Sequence, residues 1–185
     1  TLARDMNEAP SAFFGIDRHC DPFVGDLTGA ARDATALWAI MSDSIEGSKP
    51  QLITNENATL VAVRAAMDAT LGAADETDVV ILGFAGHGTP DHRLVLHDTS
   101  VADIPGTTLG MDELARRFRD TRARAVILLL DCCFSGGAPA RVLDVGLVPR
   151  NGIAFPLVDV AGQGRILFAA SSAEQVALED PQTRH

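Results

Sequence analysis

The 185-residue chain is 46% hydrophobic and 22% charged, a composition of folded domains that excludes an intrinsically disordered protein. Its formal net charge of −10 disfavours nucleic acid as a partner. No apolar run approaches the roughly 18 residues of a membrane span, and no signal peptide is visible, so we expect a cytoplasmic protein without a membrane partner.

Eight segments follow the patterns of regular secondary structure. Strands are predicted near 12–16, 51–54, 78–84, 126–130 and 165–170, and helices near 28–43, 57–71 and 111–121. Asp26 or Thr28 is the expected N-cap of the first helix, and Asn57 that of the second. Residues 94–96 are predicted to form a short strand or a hairpin arm.

The order of these segments predicts the fold. Strands that alternate with helices are typical of an α/β sandwich with helices on both faces of a mainly parallel sheet. The five consecutive apolar residues 126–130 are typical of a parallel strand that is buried on both faces. Because no internal repeat or second domain is apparent, we predict one three-layer domain over residues 1–185.

Reactive side chains directly follow two of the buried strands. His87 lies between two glycines after the third strand, and the sequence Asp-Cys-Cys-Phe-Ser-Gly-Gly follows the fourth at 131–137. The carboxyl ends of parallel strands meet at one rim, where open α/β sheets bind their ligands. We therefore expect His87 and Cys133 to lie close together as a base and a nucleophile.

The three cysteines have different expected roles. Cys20 and Cys132 are expected to be buried packing residues, the commonest fate of cysteine, with Cys132 pointing away from its neighbour Cys133. An odd number of thiols, two of them adjacent, is a poor disulfide framework and indicates a reducing compartment. Cys133 is the candidate nucleophile because its pairing with His87 favours catalysis over packing.

Metal and nucleotide sites are not expected. His87, His92 and His97 recur every five residues, which fits neither one helix face nor the usual spacing of zinc ligands. The glycines near 83–86 and 135–137 lack the phosphate-binding patterns. We therefore predict no cofactor.

The two motifs, Phe-Ala-Gly-His-Gly at 84–88 and Asp-Cys-Cys-Phe-Ser-Gly at 131–136, resemble those of the caspase-like cysteine peptidases (clan CD, family C14). The similarity is greatest to bacterial metacaspases and orthocaspases. The order and spacing agree, since caspases carry a histidine about 50 residues before the cysteine. Segments 27–34 and 169–175 are similar to the family's first-helix motif and to the segment after its fifth strand.

This resemblance implies roles for five residues. It implies that Cys133 is the nucleophile, that His87 is the base, and that the backbone N–H groups of Gly88 and Cys133 form the oxyanion hole. In metacaspases, acids at the positions matching Asp33 and Asp131 line the primary specificity pocket and select Arg or Lys before the scissile bond. A guanidinium group between two carboxylates is also a favourable, charge-assisted contact.

The sequence also departs from the family pattern. Asp91, Asp98 and Asp103 follow the histidine motif but are scattered rather than clustered, so no calcium dependence is expected. Ala30 and Ala85 replace polar residues that are common around the pocket, which would change its fit but not its charge. The family continues through a sixth strand, so we expect this chain to hold the large-subunit portion and fifth strand and to lack the last strand and C-terminal portion.

Two functions from different classes are considered. The main hypothesis is a cysteine endopeptidase that uses a Cys-His pair to cleave proteins or peptides after Arg or Lys. Its own C-terminal fragment is a second candidate partner. The alternative is a catalytically silent caspase-fold scaffold that binds partners without turnover, and the presence of both Cys133 and His87 argues against it.

Overall fold

The structure is a computed structural model that describes residues 9–45, 48–89, 91–132 and 164–169. Its strands are β1 (Ser11–Gly15), β2 (Gln51–Thr54), β3 (Val79–Gly86), β4 (Arg93–Leu94), β5 (Leu109–Gly110), β6 (Ala125–Cys132) and β7 (Arg165–Ala169). Its helices are α1 (Ala30–Ser44), α2 (Leu60–Leu71), α3 (Ile104–Thr107) and α4 (Met111–Asp120). Among these helices, none is long and apolar enough to cross a membrane.

Five strands form one sheet in the order β2-β1-β3-β6-β7, and every neighbouring pair is parallel. The mainly parallel sheet predicted from the alternation of strands and helices is confirmed. Because the strands are parallel, their carboxyl ends lie at one edge of the sheet. At that edge, the register of β3 and β6 pairs Ala85 with Asp131 and Gly86 with Cys132.

Helices cover both faces of the sheet. On one face, buried side chains of α2 and α4 form a single core with alternate residues of β6; this core includes Val63, Met67, Leu114, Phe118, Leu128 and Leu130. On the opposite face, α1 lies against the glycine positions Gly15 of β1 and Gly83 of β3. The described part of the chain therefore has the three layers that the sequence predicts.

The close contact between α1 and β1 depends on Gly15. A Cβ atom at this position would lie 2.5 Å from the carbonyl oxygen of Ala30 and 2.7 Å from the Cβ atom of Ala34. Both distances are much shorter than van der Waals contact, so a residue without a side chain is required here. As a result, the first turn of α1, which carries Asp33, lies against the carboxyl end of β1.

The predicted N-caps of α1 are wrong. Gly29 occupies the N-cap position rather than Asp26 or Thr28. The first two N–H groups of the helix instead donate to the carboxylate of Asp17, at 2.8 and 3.2 Å. Asp17 lies two residues after the end of β1, so the cap comes from a distant part of the β1–α1 connection that local sequence rules do not search.

The predicted N-cap of α2 is also wrong. Asn57 belongs to a short 3-10 turn at Asn55–Asn57, which shortens the predicted helix at its start. Thr59 is the N-cap, and its hydroxyl group accepts a hydrogen bond from the N–H group of Ala62 at 3.3 Å. Thr59, like Asn57, has a side-chain oxygen that can cap a helix. The sequence therefore predicts the kind of cap correctly but places it two residues too early.

Candidate active site

His87 and the cysteine motif lie at the carboxyl ends of neighbouring strands. His87 directly follows β3, and β6 ends at Cys132, which is the register partner of Gly86. Cys132 is 2% exposed and belongs to the core on the side of α2 and α4, which agrees with its predicted packing role. The predicted nucleophile, Cys133, lies outside the described residues, so its role stays a prediction.

A backbone carbonyl group holds the imidazole ring of His87. Its Nε2 atom lies 2.9 Å from the carbonyl oxygen of Gly25. Because a carbonyl oxygen only accepts hydrogen bonds, Nε2 carries a proton and donates it. In the neutral ring, Nδ1 is then the basic nitrogen, so the contact with Gly25 selects the tautomer that accepts a proton at Nδ1.

A second histidine packs against this ring. The ring centroids of His19 and His87 are 5.4 Å apart, with a tilt of 33° between the ring planes. The side chain of His19 is fully buried, and neither of its ring nitrogens has a hydrogen-bond partner among the residues that the structure describes. Burial, followed by the electrostatic effect of His87, lowers the pKa of His19 from 6.5 to about 4, although Asp26 opposes this shift. His19 is therefore neutral at physiological pH.

A hairpin fixes the backbone next to His87. The N–H group of Val95 donates to the carbonyl oxygen of His87 at 3.0 Å, and Gly88 pairs with Leu94 in an antiparallel bridge. These bonds hold Gly88, the residue whose N–H group is the predicted oxyanion donor, at the rim of the sheet. That donor role stays a prediction, since it depends on where a substrate carbonyl group would meet Cys133.

A cavity of about 500 Å³ lies between α1 and the strands β3, β6 and β7. Asp33 from α1 and Asp131 from β6 both line it, so the structure brings the two predicted specificity acids together. Asp33 is half-buried and Asp131 is exposed. The other walls are mainly apolar and include Leu37, Phe84, Leu129 and Phe168. Two carboxylates on an apolar cavity suit a side chain with an aliphatic stem and a cationic head.

The acids that follow the histidine motif have structural partners. Asp91 accepts a hydrogen bond from the hydroxyl group of Thr89, Asp98 accepts one from the N–H group of Leu60, and Asp103 caps α3. Among the described residues, no group of three or more potential ligands could hold a metal ion. Independence from calcium stays a prediction.

The expectation that Cys20 is a buried packing residue is wrong. Cys20 is exposed, and its Sγ atom lies 3.0 Å from Nε2 of His97. The two residues are 77 positions apart in the sequence, so the pairing depends on the tertiary fold. Cysteine is most often buried, and no residue near Cys20 in the sequence indicates that it is exposed or that it contacts His97.

Three residues near the site were missed by sequence reasoning: Asp17, His19 and Gly25. All three lie in the connection between β1 and α1, where they cap the helix, pack against His87 and accept a hydrogen bond from its Nε2 atom, respectively. The sequence does contain a signal for Asp17, because this residue, like Asp131, is an acid that follows a run of apolar residues. Gly25 acts through its carbonyl oxygen, a group that every residue has, so no residue type could have revealed it.

The chain was compared with known proteins and structures. A family model described as the caspase domain, Peptidase_C14, matches residues 18–184. A search of curated proteins finds no match.

One similar solved structure is the crystal structure of protein GSU0716 from Geobacter sulfurreducens, with 20% sequence identity and a TM-score of 0.55. The match covers 68% of this chain and 50% of that chain, so the present chain spans about half the length of its structural relative. At this identity the likeness shows the fold alone. The family match, in contrast, extends over nearly the whole sequence, and the chain belongs to the caspase-domain family of cysteine peptidases.

Proposed function

We propose that this chain is a metacaspase-type cysteine endopeptidase, with Cys133 as nucleophile and His87 as base, which cleaves proteins or peptides after Arg or Lys. The observation that carries the proposal is the cavity lined by both Asp33 and Asp131. Asp131 is the register partner of Ala85, two residues before His87, so the cavity borders the rim that carries the base. Membership of the caspase-domain family supports the peptidase chemistry.

The proposed reaction starts at the rim of the sheet. Nδ1 of His87 accepts the thiol proton of Cys133, and the sulfur attacks the carbonyl carbon of the scissile bond. The N–H groups of Gly88 and Cys133 would stabilise the oxyanion. The imidazolium ion then gives its proton to the leaving amine, and water hydrolyses the thioester. Because Nε2 of His87 already donates to the carbonyl oxygen of Gly25, the positive ring has a fixed acceptor throughout.

The proposed specificity follows from the charge and shape of the cavity. The aliphatic stem of an arginine or lysine would pack against apolar walls such as Leu37 and Leu129, while its cationic head meets Asp33 and Asp131. An aspartate in the same place would be repelled by both carboxylates. The enzyme should therefore reject substrates that end in an acid before the scissile bond.

A peptide panel tests this function. Four reporter peptides that differ only in the residue before the scissile bond, Arg, Lys, Asp or Leu, are compared by kcat/KM. We expect cleavage after Arg and Lys, and values for the Asp and Leu peptides that are lower by about 100-fold or more. Comparable cleavage after Asp would contradict the proposed specificity. A silent scaffold would bind the Arg peptide and release no product from any peptide.

Asp131→Asn tests the role of the cavity directly. The substitution keeps the size of the side chain and removes its charge, so kcat/KM for the Arg peptide should fall by about 10- to 100-fold. Asp33→Asn should have an effect of the same sign. Asp112→Asn is the matched control, because Asp112 is an exposed acid on α4, across the sheet from the cavity. Equal losses in the Asp131 and Asp112 variants would remove Asp131 from the specificity pocket.

A further inference from the structure

A second pair of thiol and imidazole groups lies outside the proposed catalytic pair. The Sγ atom of Cys20 lies 3.0 Å from Nε2 of His97, and Cys20 is exposed. The other ring nitrogen of His97, Nδ1, lies 2.7 Å from the carbonyl oxygen of Arg18. Cys20, His97 and Arg18 thus form a chain of contacts from a thiol, through an imidazole ring, to a fixed acceptor.

The contact with Arg18 determines the direction of the hydrogen bond between Cys20 and His97. A carbonyl oxygen only accepts, so in the neutral ring of His97 the proton is on Nδ1 and Nε2 is the nitrogen that can accept. The S–H group of Cys20 is then the donor, and His97 is placed to accept its proton. A thiol with an oriented base beside it is the general arrangement of an activated sulfur nucleophile.

Two simpler explanations of the contact between Cys20 and His97, anchoring of the loop and metal binding, agree less well with the structure. The backbone N–H group of Cys20 already donates to the carbonyl oxygen of His97 at 2.8 Å, so the loop is anchored there without the side-chain contact. A metal site would need further ligands, and the described residues contain no group of three or more that could hold a metal ion. Neither anchoring of the loop nor metal binding therefore explains why an exposed thiol lies against an imidazole that is oriented to accept its proton.

We propose that Cys20 and His97 form a second reactive thiol site, which takes up small disulfides such as glutathione disulfide. His97 accepts the proton of the Cys20 thiol, and the thiolate attacks one sulfur of the disulfide. A bond forms between Cys20 and that sulfur, and the disulfide bond of the small molecule breaks. The leaving thiolate takes the proton from His97 and departs as a free thiol, so the incoming disulfide is the oxidant.

Glutathione disulfide is the probe that tests this site. The reaction is followed by intact mass and peptide mapping in the full chain carrying Cys133→Ala, so the proposed active-site thiol cannot contribute. We expect one mixed disulfide, at Cys20, while Cys132 stays unmodified because it is 2% exposed. His97→Gln should lower the rate constant for Cys20 by about tenfold or more.

A synthetic peptide of residues 14–26 provides a comparison that does not depend on the folding of the His97 variant. It contains Cys20 but not His97. The folded protein should react about tenfold faster than the peptide, or more. Equal rate constants for protein and peptide, or an unmodified Cys20 in the protein, would overturn the proposal. Because the protein measurements use Cys133→Ala and the peptide does not contain Cys133, the result does not depend on peptidase activity.

Discussion

At the scale of single residues, the described part of the site is an imidazole ring with two supports. The carbonyl oxygen of Gly25 fixes the tautomer of His87, and the ring of His19 packs beside it. His19 is held neutral by burial, so its ring packs against that of His87 without adding a positive charge at physiological pH. The proposed base is thus held by a backbone carbonyl group and lies beside a neutral ring.

The lowered pKa of His19 predicts how stability depends on pH. Folded His19 binds a proton only near pH 4, whereas an ordinary histidine in the unfolded chain binds one near 6.5. Between these values the unfolded state binds more protons, so the free energy of unfolding falls as the pH is lowered from about 6.5 to about 4. His87, His97 and Asp26 are the ionisable groups that act on His19. Urea unfolding at several pH values measures the slope.

His19→Phe is the matched control for this pH dependence. Phenylalanine keeps a flat ring next to His87 but cannot be protonated, so the variant should lose less stability over the same pH range. On lowering the pH over this range, the wild type should lose more unfolding free energy than the variant, by on the order of 2 kcal/mol after allowance for solvent screening. Parallel pH profiles for wild type and variant would show that His19 is not the group responsible.

At the scale of elements, one connection supports both proposed sites. The segment between β1 and α1, residues 16–29, carries Asp17, His19, Cys20 and Gly25. Its start is fixed by Asn55, whose side-chain oxygen accepts hydrogen bonds from the N–H groups of Asp17 and the following residue at 2.8 and 3.2 Å. The orientation of His87 therefore depends on a loop whose contacts extend to the 3-10 turn after β2 and to α1.

The position of α1 should be sensitive to Gly15→Ala. The added Cβ atom would lie 2.5 Å from the carbonyl oxygen of Ala30, so the helix would have to move away from β1. We expect a loss of stability of about 1–3 kcal/mol and a lower kcat/KM for the Arg peptide, because Asp33 moves with the helix. Thermal or urea unfolding and peptide kinetics measure the two effects.

Gly110→Ala is the control for this substitution. The atoms nearest to a Cβ atom there belong to the guanidinium group of Arg93, and the closest lies at 3.3 Å, a much milder contact than the 2.5 Å to backbone at Gly15. Its effect on stability should be small. If Gly15→Ala were as harmless as Gly110→Ala, the close contact between α1 and β1 would not hold Asp33 in place.

At the scale of the whole molecule, the sequence predicts the sheet well because the sheet arises from local patterns. Continuous apolar runs marked the parallel strands, and the residue types that end β3 and β6 identified the rim. The two acids proposed to determine specificity, Asp33 and Asp131, can be paired from the sequence only through a family resemblance. Their positions around one cavity depend on how α1 packs against the sheet.

Three features that the sequence did not predict depend on contacts between distant segments. Asp17 caps a helix that begins 13 residues later, and Cys20 meets His97 across 77 residues. Gly25 accepts a hydrogen bond from a side chain 62 residues away, through an atom common to all residues. Local rules for caps and burial describe neighbours in the sequence, so they cannot identify such partners.

Cys133 is the proposed nucleophile of a peptidase that recognises arginine. The most direct test is the reaction of the protein with a peptidyl-arginine chloromethyl ketone, followed by mapping of the modified residue. We expect modification of Cys133 with loss of cleavage of the Arg peptide; at Cys133 the aspartyl analogue should react far more slowly, and Cys133→Ala should neither react at this position nor cleave. Full cleavage by Cys133→Ala, or equal labelling of Cys133 by the aspartyl ketone, would contradict it.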